Sequence, residues 1–392
     1  MAKAILTPNS GYARELMEAG GDSLKKCFQC ATCSVACPMA PANNPYPRKE
    51  MVWATWGLKE KLAADPDIWL CHNCGNCAQL CPRGAKPGDV MAAARNLAYR
   101  DLCSPRKAGQ LMASKKGLPI LFAIPAVLWL IVWAIRAACV GAWFPRTEDG
   151  RIVFGQIFYG DYTIDPIFII TFFGALFILW RGCSRLWNSF NGEGKLLVIG
   201  PKKPWYYHLA MLLWDEVITH KKFDTCQDGP KTGQPENSRK LGHMLMVAGF
   251  VALMIVTAIV ALCHWGGKIF PVISIETPMS TLFPVKILAN IGAICLLVAL
   301  VLLTVRRRRE NPKFMKSSYQ DWYLLGLIWI IALTGCFSQF FRLVDAVHCA
   351  YLVYYLHLVF VWMLFAYLPW SKLAHLAYRT CALLHVRMYG RG

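Results

Sequence analysis

Eight of the seventeen cysteines fall in two matching runs. The first is Cys27, Cys30, Cys33 and Cys37, followed by Pro38; the second is Cys71, Cys74, Cys77 and Cys81, followed by Pro82. This spacing holds cubane [4Fe–4S] clusters. Three thiolates two residues apart wrap three corners of one cube on a tight turn. The fourth thiolate points away to the other cube, and the proline ends the turn because it has no N–H to donate. Cluster one is therefore expected on Cys27, Cys30, Cys33 and Cys81, and cluster two on Cys71, Cys74, Cys77 and Cys37. Zinc needs four ligands and would leave the third and fourth cysteine of each run unexplained. His72, inside the second run, is expected to hydrogen-bond rather than ligate. The other cysteines are scattered, and those in apolar runs act as small hydrophobes.

A second set of candidates is imidazole. His243, His264, His348, His357 and His375 lie in or beside long apolar runs, and an imidazole at membrane depth is a functional candidate. Two such rings on facing helices can hold a b-type haem. At 1.5 Å per residue, His264 stands about 31 Å beyond His243, and His357 about 27 Å from His375. His243 and His375 are the expected inner pair, and His264 and His357 the outer pair, with His348 competing for the outer position. His208, His220 and His385 lie in connectors and are expected to be solvated or backbone-bonded. No nucleophile or acid–base pair stands out, so no catalytic or quinone-binding residue is assigned.

The elements that must position these groups are helices. Of 392 residues, 56% are apolar and 17% charged, too few charges for a purely soluble chain. Fifteen Trp, 15 Tyr and 20 Phe exclude a disordered one. Six apolar runs, at about 118–143, 166–187, 244–265, 283–305, 322–341 and 348–370, are each long enough to cross a hydrocarbon core. The expected fold is all-α: a helical two-[4Fe–4S] ferredoxin-like domain over residues 1–116, then a six-span transmembrane bundle over 117–392. Within the first domain, 46–70 is helix-rich and Pro87 opens another helix, with Asp89 suiting its dipole. The aromatic segment Trp205–Ile218 is expected to lie in the membrane interface.

The net charge of +19 follows topology. Lys195, Lys202, Lys203, Lys221, Lys222 and Lys231 crowd one connector, and Arg306 to Arg309 another, while the alternate connectors are poor in Lys and Arg. Positive charge stays inside, so both termini and the cysteine domain are expected in the cytoplasm and the bundle in the inner membrane. A nucleic-acid partner is not required. The amino-terminus shows no long apolar core behind a basic start, so the thiols are expected to be reduced.

Residues 241–375 resemble the cytochrome b (gamma) subunits of respiratory nitrate reductases. The likeness lies in Leu356-His357-Leu358-Val359-Phe360 and Leu368-Pro369-Trp370-Ser371-Lys372-Leu373-Ala374-His375. It implies that His357 and His375 each ligate one of two stacked haems, with His243 as a partner. That family's second histidine on the partner helix falls at Leu253 here, so His264 stands as its substitute. The cysteine runs resemble those of heterodisulfide reductase C subunits. The fused arrangement resembles the C subunits of the quinone-interacting membrane-bound oxidoreductases (Qmo) of sulfate reducers. It implies two flavin and iron–sulfur partner subunits (Qmo A- and B-like), and electron exchange between menaquinone and adenylylsulfate reductase. Two alternatives stay open: a heterodisulfide-reductase-type membrane subunit, and a passive anchor without haem.

Overall fold

The computed structural model describes residues 6–41, 44–190, 203–225, 238–273, 275 and 277–390. Lys195, Lys202 and Lys231 of the basic connector lie outside these residues. Among the described residues the regular elements are helical. The cysteine domain carries α1 (Ser10–Glu18), α2 (Thr32–Ala36), α3 (Arg48–Trp56), α4 (Lys59–Ala63), α5 (Asp67–Leu70), α6 (Asn76–Gln79), α7 (Pro87–Leu102) and α8 (Arg106–Met112). Pro87 stands in the first turn of α7, where the missing N–H costs nothing.

Six long apolar helices follow: α9 (Leu118–Val140), α10 (Asp165–Phe190), α13 (Ser238–Gly267), α14 (Pro284–Arg309), α15 (Tyr319–Leu343) and α16 (Val347–Ala366). Between them come α11 (Trp205–Leu212) and α12 (Lys221–Thr225), and α17 (His375–Tyr389) closes the chain. The six spans agree in number and order with the apolar runs, and differ at their ends. α13 begins at Ser238, so Arg239 and His243 share one helix. The last span ends at Ala366 rather than 370, because Pro369 cannot continue it and two tight turns, Leu368–Trp370 and Lys372–Ala374, lead into α17. Pro125 sits within α9 without ending it. Trp205, Tyr206 and Trp214 of the interfacial segment are exposed.

Helix pairing sets the frame. α13 lies along α14, and α15 along α16, whereas α13 has little direct packing on α16 or α17. Small residues bring the first pair close. A Cβ on Gly249 would come 2.6 Å from Leu296 and 2.9 Å from the Gly292 carbonyl oxygen; such residues let helix backbones approach in lipid. One apolar core runs without a break from the cysteine domain into the bundle. At the join, Trp69 of α5 packs on Tyr99 of α7 (centroids 5.6 Å apart) and on Tyr378 of α17 (5.3 Å). Each such pair contributes about 1 kcal/mol beyond burial.

Candidate functional site

The two sulfur loops share one backbone. Gln29 and Ala31 of the first have φ of 60° and 67°; Asn73 and Gly75 of the second have 49° and 82°. Left-handed residues at both positions turn the chain sharply, so successive sulfurs face one centre. α2 and α6 then carry the third cysteine of each run and pack on each other. The structure gathers the eight thiols into two sets. Cys27, Cys30, Cys33 and Cys81 line one cleft of about 350 Å³. Cys37, Cys71, Cys74 and Cys77 line another of about 400 Å³. The fourth cysteine of each run has crossed to the other set.

The chemistry of the donors fits a cationic iron core. Burial and the neighbouring Cys27, Cys81 and Cys30 push the Cys33 thiol up to about 11. Burial pushes Cys37 up to about 12, and burial with Cys71 and Cys74 holds Cys77 well above the usual thiol range. Four crowded thiols do not ionise together unless positive charge compensates them. Donors are already aimed at the sulfurs: the Gln29 amide at Cys27 (3.2 Å), the Asn73 N–H at Cys71 (3.4 Å) and the Ala85 N–H at Cys81 (3.3 Å). Such bonds stabilise thiolate and tune cluster potential.

The second loop is docked on the membrane half through His72. Its carbonyl accepts from Arg239 of α13, and its Nε2 accepts from Arg379 of α17. Burial, then Arg379 and Arg239, hold the His72 imidazole well below its usual range, so it is neutral. Each arginine lies one helical turn from a candidate haem ligand: Arg239 precedes His243, and Arg379 follows His375. Phe223 fills the angle between them, with centroids 5.5 Å from His72 and 5.4 Å from His243.

The inner imidazoles are oriented by neighbours. His243 Nδ1 and His220 Nε2 share a hydrogen bond of 2.7 Å. His375 Nδ1 donates to the Lys372 carbonyl at 2.7 Å. Burial pushes His375 down to about 4, which keeps it neutral. Among the described residues, no hydrogen bond engages Nε2 of either ring. A fixed Nδ1 partner with Nε2 left over is the arrangement a haem-ligating histidine needs. His357, half a bundle away, meets Thr334 Oγ1 through Nδ1 at 3.1 Å and stands over Gly335.

Three expectations need correcting. His264 is not turned toward His357: its Nε2 is taken by Asp161, which also pairs with Lys268, on a half-exposed surface. His348 is exposed and its ring lies on Phe144, at 4.6 Å. His220 and His385 are buried, which removes the solvated alternative, while His220 keeps the backbone-bonded one at Ile218; His385 sits 5.0 Å from Phe190 and 4.8 Å from Tyr389. Leu253 packs on Gly292 of α14. The role of His220 had no signal in the sequence, since it lies in a connector and meets His243 only in the folded chain.

These features define a class: an iron–sulfur electron-transfer protein built as a dicluster-type domain joined to six membrane-length helices. The chain belongs to the CitB family: the family model for Citrate utilization protein B matches residues 167–391, more than half of its length. A 4Fe-4S dicluster domain model matches residues 23–85. The amino-terminal domain is similar to heterodisulfide reductase C subunits. The C subunit of the H(2):CoB-CoM heterodisulfide,ferredoxin reductase of Methanothermobacter marburgensis is 41% identical over 90 residues, covering 23% of this chain and 48% of that protein. The C2 subunit of the H(2)/formate:CoB-CoM heterodisulfide,ferredoxin reductase of Methanococcus maripaludis is 34% identical over 128 residues, 30% of this chain and 67% of that protein. The chain thus spans about half to two thirds of these relatives. No solved structure matches it.

Proposed function

We propose that this chain is the membrane subunit of a heterodisulfide-reductase-type complex, carrying electrons between quinone in the bilayer and a soluble flavin or iron–sulfur partner. The cysteine domain and the carboxy-terminus then face the cytoplasm. Cys27, Cys30, Cys33 and Cys81 would hold one [4Fe–4S] cluster, and Cys37, Cys71, Cys74 and Cys77 the other. His243 and His375 would hold a b-type haem through Nε2, and His357 is the candidate for a second. When bound, these groups supply one-electron carriers, which suits quinol because it gives two electrons singly to iron.

The observation that carries the reading is the clasp on His72. Arg239 and Arg379 extend the two helices that bear His243 and His375 onto the loop of Cys71 and Cys74. Phe223 and His220 pack against each other and against His243 at the join. Lys372 is tied to Asp321 of α15, which Arg307 of α14 also reaches at 3.3 Å, so the turn before His375 is held from two further helices.

The test is a reduced-minus-oxidised visible spectrum of the purified chain, with pyridine-haemochrome, iron and sulfide analysis. A b-type band that appears on adding menaquinol is expected, with about nine or ten irons and about eight sulfides per chain, from two cubanes and one or two haems. A colourless, iron-free preparation would overturn the reading. Assay of the complex with a disulfide and with adenylylsulfate reductase separates the heterodisulfide-type partner, favoured by the relatives, from the sulfate-reducing one.

A further inference from the structure

The duplicated loops are alike in backbone and unlike in cover. Phe28 in the first run stands where His72 stands in the second, directly after the leading cysteine, and Ala31 stands where Gly75 does. The second loop is roofed. His72 is clasped by two arginines, and a Cβ on Gly75 would come 2.8 Å from Met315 Sδ, which lies between α14 and α15. The equivalent face of the first loop is bare. Phe28 and Val35 of the first run are 67% and 89% exposed, Cys30 between them is an exposed thiol, and Leu80, beside the Cys81 that crosses to this set, is 60% exposed. Val35 lies on α2 and Leu80 at the end of α6, two helices that pack on each other, and Phe28 shares its cleft with Cys30 and Cys81.

The rim of this face is cationic. Lys25, Lys26, Arg48 and Arg83 are exposed around it. Arg83 lies over the Phe28 ring at 4.0 Å. Among the described residues none of the four has an ion-pair partner. On the roofed loop, the covering helices bring the cations to the loop. On the bare loop, the loop's own surround supplies them, so its cover must bring the acids.

We propose that the Phe28–Val35–Leu80 face docks a soluble redox protein that presents a one-electron centre behind an acidic rim, and that it is the mirror of the join at His72. The proposal rests on the two-cluster reading above. One electron crosses the face; no bond forms or breaks, and one partner is oxidised by one as the other is reduced by one. Burying Phe28, Val35 and Leu80 supplies the contact area, while the cations steer encounter.

The test uses the oxidised holoprotein in lipid nanodiscs and two reduced donors of opposite charge: flavodoxin hydroquinone, an acidic flavoprotein, and the methyl viologen radical cation. Stopped-flow bleaching of the cluster absorbance gives the rates. The flavodoxin rate is expected to fall about ten-fold from low to high salt. The K25E/K26E/R83E variant should slow flavodoxin about ten-fold and speed viologen, while K25R/K26R/R83K keeps wild-type rates. Rates insensitive to salt and to charge reversal overturn the docking proposal, and so does equal loss in the charge-conserving variant. Low-temperature EPR of each sample after dithionite reduction separates the two readings: a reduced wild-type chain without the signal of two [4Fe–4S]+ clusters overturns the two-cluster reading, whereas intact signals with insensitive rates overturn the docking face alone.

Discussion

Cys81 belongs to the second run and sits with the first, and Cys37 does the reverse. The exchange makes a sharp expectation. Cys81→Ala should erase the EPR signal that Cys30→Ala erases and spare the one that Cys74→Ala erases, with about four irons lost in each case. His220 is the other informative residue. It is buried at φ 51°, a conformation a non-glycine residue keeps only when its surroundings impose it. It follows the helical segment that ends at Ile218, where a left-handed residue commonly stops a helix, and its ring shares the 2.7 Å bond with His243. Replacing His220 with Ala should leave the fold intact, weaken haem retention by about ten-fold and shift the haem midpoint potential, as loss of an orienting partner does. Redox titration beside pyridine-haemochrome analysis checks both effects. An unmoved potential would make His220 merely a packing residue.

At the scale of elements, α13 and α14 behave as one unit because Gly249 and Gly292 leave no gap between them. Gly249→Leu should force these helices apart, at a cost of about 1–3 kcal/mol, and be read as a lower Tm of the detergent-solubilised protein. It should also lower haem content, since His243 rides on the same helix. The sequence showed these helices well. Six spans were legible because length and apolarity alone decide them, and the sulfur sets because cluster chemistry dictates the spacing. Azimuth was not legible. Depth along α13 places His264 at a plausible height, but which neighbour it meets depends on how α10 packs, and the turn leading into α10 brings Asp161. The clasp on His72 was hidden for the same reason, since residues 72, 220, 239 and 379 meet only in three dimensions.

For the whole molecule, six spans return the chain to the side on which it began, and α17 packs against α5, α10 and α11 there. On the proposed orientation, a fluorescent protein fused after Gly392 should be bright in the cytoplasm, and one inserted at Gly150, in the connector on the opposite side, dark. Equal brightness at both positions would refute the orientation.

The arginine clasp also bears on biogenesis. Arg239 and Arg379 reach the second sulfur loop from the helices of His243 and His375, so filling either centre should stiffen the cradle of the other. By linkage the effect is reciprocal: cells starved of iron–sulfur assembly should accumulate a chain that also sheds its tetrapyrrole, and cells starved of tetrapyrrole one that loads its second cube poorly. On the proposed reading, maturation of the two halves would be a single concerted event rather than two independent insertions.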